Sequence, residues 1–132
     1  MMRYMLDTNV VSAMVRDPRG TVLERLLEIG EENAFISIIT HGEIWYGVKK
    51  NGSEELARKV SAVTRRLYVA PLQLPGDQRY AEVRLALRQG KNIGPNDLWI
   101  AAHALALDAV LVTNDESEFS RVPGLKVENW LR

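Results

Sequence analysis

Tyr4-Met5-Leu6-Asp7-Thr8-Asn9, continued by the segment Val10 to Val15, decides the reading of the fold. Three apolar residues in a row read as a short strand buried on both faces, as in a parallel sheet covered by helices. Asp7, Thr8 and Asn9 all have short side chains that accept hydrogen bonds from helix-start N–H groups. The segment Val10 to Val15 therefore reads as a helix, ended by Asp17-Pro18-Arg19-Gly20.

The same alternation continues outward. Val22, Leu23, Leu26, Leu27 and Ile29 have helical spacing, Ala34-Phe35-Ile36 is a second strand, and Ser37 caps a helix from Ile38 to Lys50. Asn51-Gly52-Ser53 breaks that helix, and Leu56, Val60, Val63 and Leu67 mark the next. Tyr68 to Leu72 reads as a strand that Pro71 brings to its end, since proline cannot donate to a ladder. Pro75-Gly76 opens a helix carried to Gly90 by Tyr80, Val83 and Leu87, and Gly94-Pro95-Asn96 opens another with Leu98, Ile100, Ala101, Ala104 and Leu105. Ala109 to Val112 is a further strand. Strands alternating with helices predict an α/β fold, a central mostly parallel sheet flanked by α-helices with right-handed crossovers. Such sheets bind ligands at the carboxyl ends of their strands.

Composition narrows the function. At 132 residues and 46% hydrophobic, one compact domain is expected. Lys and Arg number 17 against 17 Asp and Glu, so a polyanion must be met by a local patch rather than a global field. Lys49, Lys50, Arg58, Lys59, Arg65 and Arg66 form one basic region, and Arg84, Arg88 and Lys91 another. The absence of cysteine removes thiolate nucleophiles and Cys-based zinc sites and fits a reducing compartment, so the cytoplasm is expected. No apolar run approaches the roughly 18 residues that would span a bilayer, and none precedes Asp7 as a signal peptide would.

Four acids stand where apolar runs meet turn or helix-start chemistry: Asp7, Glu43, Asp97 and Asp115. Each has an ordinary structural explanation. Asp7 fits a strand-to-helix turn, Thr40-His41-Gly42-Glu43 fits a capping box, Asp97 suits the positive end of a helix dipole, and Thr113-Asn114-Asp115-Glu116 fits an acidic turn. Together they point to a metal site: Asp7 and Asp115 follow strand ends, while Glu43 and Asp97 are expected in the first turns of helices leaning over the same edge. His103 reads as a packed helix residue, and Trp45, Trp99 and Trp130 as core or interface anchors. His41-x-Glu43 matches half of a zinc-deaminase motif whose cysteine half is impossible here. Gly-x-Ser-x-Gly, His-Glu-x-x-His and Walker A motifs are absent.

The segments Met5 to Asn9, Ser37 to Gly47, Ile93 to Ala104 and Leu111 to Phe119, closing with Val122 to Trp130, resemble PIN-domain ribonucleases, in particular VapC-like toxins of type II toxin–antitoxin systems. The resemblance runs nearly end to end and implies a single PIN domain over residues 1–132. It further implies an endoribonuclease dependent on Mg2+, or Mn2+, that hydrolyses phosphodiester bonds in RNA, and a cognate VapB-like antitoxin that occludes the site. Related domains commonly dimerise, so a homodimer is expected. By position, Asp7, Glu43 and Asp97 match the family's three principal acids and Asp115 a variable fourth, a role that Glu118 shares or replaces in the alternative reading. These four are the catalytic and metal-binding candidates. Hard divalent cations favour such oxygen ligands, and Thr8, Asn9 and Thr113 are candidates to fix carboxylate rotamers. A haloacid dehalogenase-type phosphohydrolase would need a second Asp where Asn9 stands, and a non-catalytic binding domain would be expected to lack several of the acids.

Overall fold

The computed structural model describes residues 2–90 and 92–131, so Met1, Arg132 and Lys91 of the second basic group lie outside the described residues. Five strands, β1 (Tyr4–Leu6), β2 (Ala34–Ser37), β3 (Tyr68–Ala70), β4 (Val110–Val112) and β5 (Val127–Glu128), form a sheet in the order β3-β2-β1-β4-β5. All of its pairings are parallel, and Tyr4, Met5 and Leu6 lie in register with Val110, Leu111 and Val112. Helices α1 (Thr8–Arg16) and α2 (Thr21–Ile29) connect β1 to β2, and α3 (Ile38–Asn51) and α4 (Glu54–Thr64) connect β2 to β3. The return to β4 carries α5 (Gly76–Ala86) and α6 (Pro95–Ala106), and α7 (Glu116–Phe119) precedes β5.

Successive strand residues point to opposite faces of a sheet, and here both faces are buried. Leu6, Ala34, Ile36 and Val112 pack with Val10, Met14, Leu26, Ile44 and Val60 from α1 to α4, and Trp130 closes that core against Tyr4 with ring centroids 5.5 Å apart. Met5, Phe35, Ala70 and Leu111 pack on the other face with Val83, Leu98, Ala101 and Phe119 from α5, α6 and α7. The first three strands step toward one edge beneath helices on one face. The chain then crosses back to the far side of β1 beneath helices on the other, so β1 and β4 are neighbours whose connections diverge. That topological switch point leaves a crevice at their carboxyl ends.

Several expected boundaries move for local reasons. The cap of α1 is Asp7 rather than Thr8 or Asn9, which join the helix. β3 stops at Ala70, and the Pro71 carbonyl is used by a side chain instead. α5 ends at Ala86 rather than Gly90, because Gln89 and Gly90 turn to φ values of 68° and 86°. β5, with only two half-buried residues at the sheet edge, carries no alternation to read.

A buried polar contact ties the start of α3 to α6. His103, 1% exposed, accepts the Ser37 hydroxyl at Nδ1 (2.8 Å) and donates from Nε2 to the Pro71 carbonyl (3.1 Å), while Ser37 Oγ caps α3 by accepting from Ile39 N. A carbonyl only accepts, which fixes the neutral tautomer; burial pushes the imidazole pKa down, against the opposing effect of its bond to Pro71. Ser37→Ala removes a helix cap and leaves a buried ring nitrogen unpaired, so unfolding in urea should show a loss of about 2 kcal/mol. An unchanged midpoint would mean that the contact does not hold the two helices.

Candidate active site

Asp7 leaves β1 at its carboxyl end while its own N–H still donates to Val112 O (2.9 Å), extending the β1–β4 ladder by one residue. Its side chain, only 5% exposed, caps α1 by accepting from Val10 N at 3.0 Å. The capping reading and the site reading of Asp7 are therefore compatible, because a carboxylate has lone pairs for both. The buried Thr113 hydroxyl bonds to the Asp7 carboxylate and accepts from Asp115 N at 2.9 Å, so one side chain positions both strand-end acids. Asp115 in turn caps α7, accepting from Glu118 N at 3.3 Å.

Asp97 lies in the first turn of α6, as expected. Glu43 does not lie in the first turn of α3: Ser37, still in extended conformation at the end of β2, takes the cap, and the expected capping box from Thr40 to Glu43 does not form. Glu43 sits in the second turn, which frees its carboxylate to reach across to α1 and α6. There Thr8 Oγ1 donates to Oε1 through a short hydrogen bond, and Asn96 Nδ2 donates to Oε2 at 3.0 Å. The rotamer-fixing expectation thus holds for Thr8 and Thr113. Asn9 instead bonds Asn114 at 3.3 Å, tying α1 to the loop after β4. His41 accepts from Trp45 Nε1 at 3.1 Å within its own helix.

Two contributors were not singled out at their full weight from the sequence. Asn96 reads there only as a helix-start residue, and its adjacency to Asp97 on one helical turn was the available signal. Glu118 reads as an alternative to Asp115, whereas its carboxyl hydrogen-bonds to both Asp97 and Asp115. Two carboxyl groups bond directly only when one keeps its proton. Burial, these two bonds and the neighbouring charges accordingly push Glu118 up to about 7. Asp97 is also raised, by burial and by the charges of Glu43 and Asp115, against the opposing bond from Glu118. Asp7 rises to about 6, chiefly by burial, with smaller contributions from Asp97 and Asp115, although Thr113 and Val10 donate to it.

The structure therefore gathers Asp7 and Asp115 from the loops after β1 and β4, Asp97 from α6 and Glu118 from α7 into one electrostatic cluster, with Glu43 of α3 alongside. Among the described residues no group of three or more Asp, Glu or His side chains forms a ready-made metal cage. Asp97, Asp115 and Glu118 instead lie close enough for burial and mutual interaction to raise Glu118 and Asp97 above the ordinary carboxylate range. The donor set is nevertheless all oxygen and mutually repelling, which suits a hard divalent cation that would relieve that repulsion.

The sequence profile of the PIN domain matches residues 4–125. The chain belongs to the PIN-domain family. This PIN domain is 38% identical over 132 residues to ribonuclease VapC2 of Rickettsia felis, covering 98% of this chain and 98% of that protein. It is 33% identical over 132 residues to the tRNA(fMet)-specific endonuclease VapC of Shigella flexneri, covering 98% and 99% of the two chains. The crystal structure of Rickettsia felis VapBC2 bound to a DNA fragment from its promoter contains a chain that superposes with a TM-score of 0.87 at 36% identity, over 98% of this chain and 99% of that one.

The proton sharing in this PIN domain has a sign that can be measured. Glu118 is raised from 4.5 to about 7, so its contribution to stability is fully present below the lower value and is lost as pH rises through the upper one. Asp7 and Asp97, also raised, act in the same sense and His103, shifted down, in the opposite one, so wild type alone mixes them. In chelator, Glu118→Gln keeps a neutral hydrogen-bonding side chain at every pH. Its melting temperature minus that of wild type should grow between about pH 5 and about pH 8. A constant difference across that range would show that Glu118 shares no proton with its neighbours.

Proposed function

We propose that the chain, as one cytoplasmic PIN domain, is a metal-dependent endoribonuclease and the toxin of a VapBC-like toxin–antitoxin pair. The observation that carries this reading is the meeting of Asp7, Asp97, Asp115 and Glu118, with Glu43 alongside, at the carboxyl ends of β1 and β4. The names of relatives matched over nearly the whole chain, ribonuclease VapC2 and tRNA(fMet)-specific endonuclease VapC, supply the substrate class.

Asp7, Glu43, Asp97 and Asp115 would hold Mg2+ or Mn2+, with Glu118 sharing the role of Asp115. When bound, such an ion polarises the scissile phosphate, lowers the pKa of attacking water and stabilises the leaving oxygen. The chain's own part is positioning. Thr113 and the Val10 N–H orient Asp7, and Thr8 and Asn96 orient Glu43, so the carboxylates would meet an ion, phosphate and water with little rotamer freedom to lose.

A VapB-like antitoxin is the proposed partner. A groove of about 270 Å3 between α1, α3 and α4 is lined by the apolar Val15, Ile44, Val48, Leu56 and Val60 together with polar residues that include Arg16 and Glu43. An amphipathic antitoxin helix laid there would bring an Arg or Lys within reach of the acids. A homodimer is part of the same proposal.

The test is incubation of purified protein with total RNA and with tRNA(fMet), in magnesium or in chelator, followed by mapping of new ends. Discrete cuts made in magnesium alone are expected. Asp7→Asn or Asp97→Asn should lower the rate by at least about 100-fold in folded protein, as loss of a key charge-stabilising group does. Asp115→Asn should cost less, and combining it with Glu118→Gln should cost more than the sum of the two singles. Cutting by folded Asp97→Asn at the wild-type rate would reject the assignment.

A further inference from the structure

Beside the acid cluster lies an open recess of about 650 Å3, lined by Thr8, Ile39, Gly42, Glu43, Tyr46 and Asn96. Three of these residues, Thr8, Glu43 and Asn96, form the hydrogen-bonded group that fixes the Glu43 carboxylate. The recess and the site are therefore continuous, and its volume falls within the roughly 300–1,000 Å3 typical of small-ligand pockets. Tyr46 is its aromatic wall. It stands one helical turn beyond Glu43 on α3 and is 67% exposed, so its ring is open to a ligand in the recess. Lys50, another turn along, places its ammonium 6.0 Å from the ring centroid. Lys49 and Lys50 end the helix as exposed cations.

An exposed ring with a flexible cation over one of its faces, continuous with the acid cluster, matches how single-stranded nucleic acid is held. The base stacks on the ring while lysine meets the adjoining phosphate. We infer that Tyr46 is a base-stacking platform for the RNA substrate, seating a nucleotide next to the scissile phosphate, with Lys50 on the backbone that flanks it. The inference rests on the ribonuclease reading above and adds to it a residue that sets the register of the cut. Gly42, on the same helix face, leaves room at the floor of the recess, since a Cβ built there meets nothing within 4 Å. Stacking tolerates any base, so Tyr46 contributes affinity and register, while the identity of the cut RNA is read elsewhere.

The test uses fluorescein-labelled oligo(U) and oligo(A), bound to the full chain in magnesium, with Asp97→Asn in the background to prevent cutting. Tyr46→Ala should weaken binding about tenfold or more, the range seen when a stacking aromatic is truncated, while Tyr46→Phe and Tyr46→Trp keep it. An abasic sugar walked along the oligonucleotide should, at one position, cost the tyrosine protein as much as the alanine change does and cost the alanine protein nothing. Mapped cuts in cellular RNA should lose sharpness in Tyr46→Ala. Equal affinity in all four proteins, an alanine defect that Tyr46→Phe does not rescue, or a change confined to oligomeric mass or to antitoxin binding would overturn the inference. A wild type that leaves every RNA uncut overturns the ribonuclease reading and this inference with it. A wild type that cuts, with Tyr46→Ala binding and cutting equally well, overturns the stacking role alone.

Discussion

Like charges crowded at the carboxyl ends of two neighbouring strands cost free energy, and the rest of this fold is arranged around that cost. Two unit charges about 5 Å apart at an effective dielectric near 20 repel by about 3 kcal/mol, a substantial share of a small domain's stability. The parallel pairing of β1 with β4 makes the crowding unavoidable, because Asp7 and Asp115 follow those strands at the switch point of the sheet. The buried apolar faces on both sides of the sheet hold the strands in place, so the acids cannot relax apart. Burial and the neighbouring charges raise Glu118 to about 7 and Asp7 to about 6, which favours their neutral forms and so lessens the repulsion. In the proposed enzyme a divalent cation takes over that task, and the same crowding supplies its affinity.

Two kinds of side chain make the arrangement workable. Neutral donors, Thr8, Thr113 and Asn96, satisfy carboxylate oxygens without cancelling their charge, so the acids stay oriented and remain available to an ion. A lysine or arginine in those places would pair with the acids and occupy the site, which is the role proposed instead for a partner protein. The Ser37–His103 contact sits one layer below. It fixes the start of α3 to the last turn of α6, the two helices that carry Glu43 and Asp97.

The alternation of strand and helix was legible because each element carries its own local signal: an apolar triplet before a cap, or apolar residues at helical spacing. The strand-end acids were legible for the same reason. Glu43 was placed at the right edge but in the wrong turn. Four residues after β2 fit a capping box in pattern, and only the point at which the strand ends decides that Ser37 takes the cap. The order of the strands, the short β5 and the meeting of Asp97, Asp115 and Glu118 depend on which distant segments come together, and no local pattern encodes that. The length of α5 was overestimated because its apolar spacing runs on to Leu87, beyond which Gln89 and Gly90 take left-handed conformations.

The proposed metal site rests most directly on one measurement, the melting temperature as magnesium or manganese is added to chelated protein at fixed ionic strength. Constant ionic strength removes general screening from the comparison. For an ion that binds only the native state, the gain is about 2.7 kcal/mol at a hundred times the dissociation constant, enough to raise the melting temperature by several degrees. Wild type should show that rise. Asp97→Asn should start from a higher melting temperature in chelator, because one of the crowded charges is gone, and should respond weakly to the ion. Identical curves for both proteins, with and without the ion, would contradict the account and leave the acids as helix caps and turn residues.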